Sequence, residues 1–426
     1  MGGVPVATPA ADDTAPDGSA APPAVSGEAW GALAEEPVRV GLMRATTSAT
    51  VTARGAFAVT VYAGAARRLS CAAGEEWVFE GRRPGLSVRS SKGTALEIED
   101  GTVRVRPADA AALVVNGTAY RGEIEIYPAT PGSIAVVNVV GIESYLRGVV
   151  PGEIGKRPVD ELEAVKAQAV AARTYAAASS GARAGGSFDV LATIEDQLYR
   201  GADSEDPVCD RAVFETAGLV LASGGRPAIT YFHSTCGGRT EARHEVWELG
   251  ETPYLRSVWD TRGGAHELDQ AWCSEAPSFE WTESWTGEEI ARLVREGLPK
   301  VASTPVREPV GSVTGLEVTA RAPSGRVRWL EVRTEGGTYR VLGDRVRRLL
   351  RRPDGGAILR SAWFDLVVDT TGGTVVRVEA RGRGNGHGVG MCQHGAMAMA
   401  RAGRPFDEIL THYYPGTVLA QLRDVW

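Results

Sequence analysis

The chain has 426 residues, enough for two domains, and 43% hydrophobic with 23% charged residues excludes a wholly disordered polymer. Its longest largely apolar runs, such as Ile134–Val140, fall far short of the ~20 residues that a membrane helix needs. A net charge of −7 provides no basic field for nucleic acid, so no nucleic-acid partner is expected.

Residues 1–34 are Ala, Pro, Gly, Ser and acids without periodicity, which predicts a disordered segment. The segment lacks the basic and apolar regions of a secretory signal. From Pro37 onward, short alternating runs broken by glycine predict small β-structure: Val38–Leu42, Ala56–Tyr62, Trp77–Phe79 and Leu96–Ile98. Further strands are expected at Gly122–Tyr127 and Ile134–Val140, so residues 35–130 read as a small β-rich region and 131–426 as a core.

A short helical stretch at Ile142–Arg147 leads into Gly148-Val-Val-Pro-Gly and Glu153. A long helix over 159–180 follows. Pro158 stands at its start, Asp160, Glu161 and Glu163 load its first turn, and Gly181 ends it. Leu162, Val165, Ala169, Ala172 and Ala176 form its apolar stripe, while Lys166 and Arg173, seven apart, share another face. Helices are also expected near Asp206–Thr216, Gly287–Glu296, Gln393–Ala402 and Phe406–His412. Strands between them, from Gly218–Ala222 to Thr374–Ala380, make the fold class α+β and strand-rich.

The five cysteines (Cys71, Cys209, Cys236, Cys273, Cys392) include no C-x-x-C pair. His233 with Cys236 and Cys392 with His394 are cramped pairs without finger spacing. The alternatives are zinc, a reduced thiol pair, or a disulfide joining two of Cys236, Cys273 and Cys392; the expectation is no metal and no cofactor. The glycine run Gly382–Gly390 lacks the Lys-Ser/Thr of a phosphate loop and instead presents His387. Five of the ten tryptophans lie between Trp247 and Trp285, and most are expected in the core. Glu153 stands out because Val149 and Val150 would desolvate its carboxyl and keep it protonated, as a general acid requires. Glu143, ten residues earlier, suits a structural hydrogen-bonding role.

These segments resemble the stage II sporulation protein D / amidase enhancer LytB (SpoIID/LytB) family of bacterial cell-wall proteins, from about Ile134 to Leu422. The resemblance rests on Asn138–Glu153 (NVVGIESYLRGVVPGE), Glu163–Ala176 (EAVKAQAVAARTYA), Tyr231–Thr240 (YFHSTCGGRT), Val246-Trp247 with Tyr254-Leu255, Gly386–Ala396 (GHGVGMCQHGA) and Ile409–Thr417 (ILTHYYPGT). It implies a peptidoglycan lytic transglycosylase of the cell envelope, cutting glycan strands after amidases strip the stem peptides. Glu153 would be its catalytic acid. Lys166, Arg173, Gln197, Tyr199, His233, Ser234, His387 and Gln393 would contact substrate, with both cations holding the lactyl carboxylate of muramic acid. Zinc ligands that some members carry just before Gln197 are Glu195 and Asp196 here, which argues against that metal site. The aromatic expected before Gly386 is Asn385. The competing readings are a non-catalytic peptidoglycan-binding enhancer of an amidase, and a metal or redox protein built on Cys236 and Cys392.

Overall fold

The computed structural model describes residues 36–181, 188–264, 267–354 and 356–425, with residues 25, 26, 29, 30 and 33. The segment expected to be disordered lies outside the described residues, apart from those few positions. Strand outweighs helix, 37% to 25%, as an α+β fold rich in strands requires. No described helix is long and apolar enough to cross a membrane. The chain forms two compact units, Pro16–Ile229 with Val418–Trp426, and Thr230–Thr417.

In the first unit a seven-stranded sheet runs in the order Val190–Leu191, Pro37–Thr46, Ile134–Gly141, Glu123–Pro128, Thr102–Pro107, Phe57–Tyr62, Arg67–Cys71. A six-stranded sheet contains Ser48–Ala53 and Trp77–Gly81 at its centre. Val51, Trp77, Phe79 and Val88 from the smaller sheet share one buried cluster with Val59, Val105, Ile126 and Val136 from the larger. Burying each such side chain contributes roughly 1.5–3 kcal/mol. The boundary expected near residue 130 falls inside the larger sheet, because Glu123–Pro128 and Ile134–Gly141 pair as adjacent antiparallel strands.

Helix α1 (Ile142–Glu153) leaves the end of Ile134–Gly141 directly and buries Ile142, Tyr145, Leu146, Val149 and Val150. It runs through Gly148 and Pro151 instead of stopping at Arg147. The two glycines do not break it; they admit a neighbour. A Cβ on Gly148 would stand 2.6 Å from the Tyr199 ring, and one on Gly152 would stand 2.4 Å from the Leu198 carbonyl oxygen. A 3₁₀ turn, Val159–Glu161, precedes α2 (Leu162–Ser179), whose expected stripe is buried along its length. So are Gln168, Arg173 and Thr174, so the burial reaches well beyond that stripe. Helix α3 (Pro207–Glu215) is capped by Asp206, whose carboxylate accepts from the N–H groups of Val208 and Cys209.

The second unit holds two three-stranded antiparallel sheets, Glu280–Thr286 / Thr374–Arg383 / Phe364–Thr371 and Val313–Arg321 / Val327–Thr334 / Gly337–Leu342. Helix α4 (Gly287–Val301), started by a capping box between Thr286 and Glu289, packs Ile290, Val294 and Leu298 into their shared core. Of the five clustered tryptophans, Trp281 and Trp285 are buried there. Trp247, Trp259 and Trp272 are only half-buried, against the expectation that most are core. Arg239 lies over Trp259 and Arg262 over Trp272, which keeps those rings at the surface. A short parallel pair, Phe232–His233 with Met391–Cys392, leads into α5 (Gln393–Arg401).

Candidate functional site

Glu153 is the last residue of α1, half-buried, where helix carbonyls rather than N–H groups point outward. Its Oε1 accepts the backbone N–H of Leu198 at 2.5 Å. Burial lifts the carboxyl from 4.5 to about 7, against the opposing pull of the Leu198 N–H and the Arg200 charge. At neutral pH a large fraction of Glu153 is therefore protonated.

The segment 197–201 positions that N–H by alternation. Gln197 and Tyr199 point inward and are buried, while Arg200 is exposed. The Gln197 amide donates to the Ala172 carbonyl (3.2 Å) and accepts the Tyr145 hydroxyl (3.0 Å). The Tyr199 hydroxyl donates to Asn138 Oδ1 (2.9 Å), and its ring lies 5.0 Å from that of Tyr145. The Arg200 N–H donates to the Gly148 carbonyl at 3.2 Å. Gln197 and Tyr199 are thus anchors of the segment that holds Glu153, not surfaces offered to a substrate. Sequence reasoning missed Leu198 and Arg200, the two positions that act on the acid; the alternating Gln-x-Tyr-x-Gly pattern was the available signal.

The shared basic face of α2 is corrected more sharply. Arg173 is fully buried and grips Glu143 with two bonds, Nε to Oε1 at 2.8 Å and Nη2 to Oε2 at 2.6 Å. Its Nη1 and Nη2 also donate to the carbonyls of Leu219 and Val213. Glu143 Oε1 further accepts the Gly218 N–H at 2.9 Å. Desolvating a guanidinium is tolerable only with such partners, so Arg173 ties α1 to α2 and to the Leu219–Ser223 strand instead of meeting ligand. Lys166 is held between Glu163 (2.8 Å) and Glu215 (2.7 Å).

His233, Ser234, His387 and Gln393 belong to the second unit. The Val389 peptide joins the two imidazoles: its N–H donates to His387 Nδ1 (3.0 Å), and its carbonyl accepts from His233 Nδ1 (3.1 Å). That assigns opposite tautomers to the two rings, with Nε2 an acceptor on His233. Burial lowers His387 to about 4 and His233 well below the usual range, so both are neutral at pH 7. The His387 ring packs 5.1 Å from Trp247 and 5.5 Å from His233. Positive-φ glycines make this possible: a Cβ on Gly386 (φ 112°) would sit 2.7 Å from the His233 Cβ, and one on Gly390 2.0 Å from the Tyr231 carbonyl oxygen. The half-buried Ser234 shares a hydrogen bond with Thr235 (3.3 Å), and Gln393 is buried as the first residue of α5.

The fold also gathers a set of potential ligands that the sequence did not group. Cys236, Asp260, Cys273 and Cys392 come from four separate segments, are all buried, and bring their ligand atoms within 4.8 Å of one another. No spacing motif could reveal such a set. Glu195 and Asp196, by contrast, are engaged elsewhere: Glu195 with Arg44, and Asp196 with the Tyr175 hydroxyl and the Leu191 N–H.

Residues 130–222 match the family described as Stage II sporulation protein (SpoIID), and residues 241–390 match a domain of unknown function, DUF8618. The chain is 30% identical to the amidase enhancer of Bacillus subtilis (strain 168) over 300 residues, which is 64% of this chain and 40% of that protein. It thus spans well under half the length of that relative. It is 27% identical to the stage II sporulation protein D of the same organism, covering 77% of this chain and 87% of that one. An uncharacterized protein of Brachyspira hyodysenteriae is 28% identical over 89% of this chain and 91% of its own length. With the ordered motifs running from Asn138 to Thr417, these similarities support the resemblance to the stage II sporulation protein D / amidase enhancer family.

Proposed function

We propose that the chain is a peptidoglycan lytic transglycosylase acting in the bacterial cell envelope, with Glu153 as its acid and base. The observation that carries the reading is a half-buried carboxyl that titrates at about 7 and accepts the Leu198 backbone N–H. Protonated Glu153 donates to the glycosidic oxygen between N-acetylmuramic acid and N-acetylglucosamine, and the bond to the muramoyl C1 breaks. The resulting carboxylate takes the proton of the muramoyl C6 hydroxyl, whose oxygen closes on C1 to leave a 1,6-anhydro end. One carboxyl suffices because the sugar supplies its own nucleophile, whereas glycoside hydrolysis normally employs two. General acid–base help of this kind contributes roughly 10²–10⁴-fold. Intramolecular attack avoids the entropy of recruiting water.

Arg200 takes over the anion-holding part first expected of Lys166 and Arg173, because it is exposed and its charge reaches Glu153. It suits a peptide-stripped muramic acid, whose lactyl group is a carboxylate, and such strands would come from a cell-wall amidase. The test is incubation of the purified chain with peptide-free glycan strands, followed by mass analysis for anhydromuramoyl ends. Wild type should produce them and Glu153→Gln should not; equal product from both would remove Glu153 from the reaction. The name of the Bacillus subtilis relative, amidase enhancer, favours a second reading: a non-catalytic enhancer. A chain that makes no anhydro ends but accelerates an amidase on intact sacculi would establish it.

A further inference from the structure

We infer that Cys236, Asp260, Cys273 and Cys392 form a closed, four-coordinate zinc site that staples the second unit. In a tetrahedral site with metal–sulfur bonds of about 2.3 Å and a metal–oxygen bond of about 2.0 Å, sulfurs stand roughly 3.8 Å apart and sulfur from oxygen roughly 3.5 Å. Here Cys236 Sγ lies 3.5 Å from Cys273 Sγ and 3.0 Å from Asp260 Oδ2, and the four ligand atoms all fall within 4.8 Å of one another. Changes in these separations of up to about 1 Å, within the reach of side-chain rotation, complete the geometry. Each donor is at most 1% exposed, so no coordination position opens to solvent. This is the character of a structural ion, not a catalytic one.

The surroundings suit thiolates. The N–H of Gly238 points at Cys236 Sγ (3.2 Å), and those of Cys236 and Gly395 point at Cys392 Sγ (3.2 and 3.3 Å). Three thiolates, one carboxylate and Zn²⁺ sum to −2. The buried guanidinium of Arg326, bonded to the Cys236 carbonyl at 2.7 Å, offsets part of that charge. Asp260 keeps Oδ2 toward Cys236 while its Oδ1 accepts the Tyr413 hydroxyl (2.7 Å), with His412 Nε2 at 3.3 Å, the outer-shell support a ligating carboxylate needs. Gly395 is required by closeness: a Cβ there would sit 2.5 Å from Asp260 Oδ2. A Cys236–Cys273 disulfide would engage only two sulfurs, leaving Cys392 and Asp260 buried with N–H donors aimed at neutral sulfur. Soft thiolates in tetrahedral array select zinc over magnesium or calcium.

Loading releases three thiol protons to solvent as three metal–sulfur bonds form, with no change in oxidation state. The ion would fasten together the segment after His233, the start of α5, and the two segments carrying Asp260 and Cys273. This inference is independent of the transglycosylase reading.

The full chain, purified under reducing conditions without added metal, should contain about one zinc per chain by elemental analysis. Cys273→Ser should retain at least about fivefold less, and Cys209→Ser, in the other unit, should match wild type. Should Cys273→Ser fail to fold, the wild type reloaded with Co²⁺ still decides: thiolate charge-transfer bands with the visible spectrum of a four-coordinate ion support the site. Zinc at background would overturn it, whether mass mapping then finds a Cys236–Cys273 disulfide or three alkylatable thiols. So would a six-coordinate cobalt spectrum.

Discussion

Replacing Glu153 by glutamine should make the protein more stable at alkaline pH while removing its activity. The carboxyl titrates at about 7 in the folded chain, against 4.5 for an ordinary glutamate. Between those values the folded state keeps a proton that the unfolded state has already lost, so stability falls as pH rises through this window and levels off above it. At 1.36 kcal/mol per pKa unit the full gap is about 3 kcal/mol, and solvent at the partly exposed side of the carboxyl reduces it, giving about 1–3 kcal/mol. Glutamine cannot ionise, and its Oε1 can still accept the Leu198 N–H. Urea unfolding of both proteins at pH 4.5 and pH 8.5 isolates the effect, because every other titrating group cancels in the difference. The two should agree closely at pH 4.5, and the variant should be more stable at pH 8.5 by about 1–3 kcal/mol. A gap that does not widen with pH, or one favouring wild type at pH 8.5, would refute the assignment of a buried, proton-holding acid.

Two further substitutions test the frame around the acid. Arg173→Ala strands Glu143 as a buried charge and should cost about 3–5 kcal/mol in urea unfolding, whereas replacing both partners by apolar residues of similar volume should cost less; a loss below about 1 kcal/mol would show that the pair is not the buried tie described. Gly152→Ala places a methyl 2.4 Å from the Leu198 carbonyl and should push the 197–201 segment off Glu153. Glycan cleavage should then fall with little change in far-ultraviolet circular dichroism, and unchanged cleavage would show that the Leu198 N–H does not orient the acid.

What the sequence made legible was periodic or composed of consecutive residues. The apolar stripe of α2 and the alternating strands from Val313 onward came from the repeat of the pattern alone. Glu153 was legible because Val149 and Val150 precede it on the same segment. The errors share one cause. The expected helical stretch ends at Arg147, short of Gly148-Val-Val-Pro-Gly, but Gly148 and Gly152 lie four apart on one helix face and serve a partner about fifty residues away. Helical spacing sets Lys166 and Arg173 on one face, yet spacing cannot say whether Glu143 and the Leu219 carbonyl lie opposite. The Cys236 cluster shows the same limit, since its donors are scattered over more than 150 residues and meet only in three dimensions.

The contrast between Glu143 and Glu153 shows how one helix can make two chemical uses of one residue type. Both sit on α1, ten residues and so about 15 Å apart along its axis. Glu143 occupies the first turn, where the helix N-terminus favours negative charge, and it receives a two-pronged guanidinium and a backbone N–H besides. Glu153 occupies the last position, where the carbonyl end disfavours negative charge. Burial there is opposed by the Leu198 N–H and the charge of the exposed Arg200, and burial wins, since the carboxyl rises to about 7. Pairing Glu153 as Glu143 is paired would stabilise its charge and remove its readiness to donate a proton. The two environments push a structural carboxylate and a proton donor apart, as an acid working near neutral pH requires.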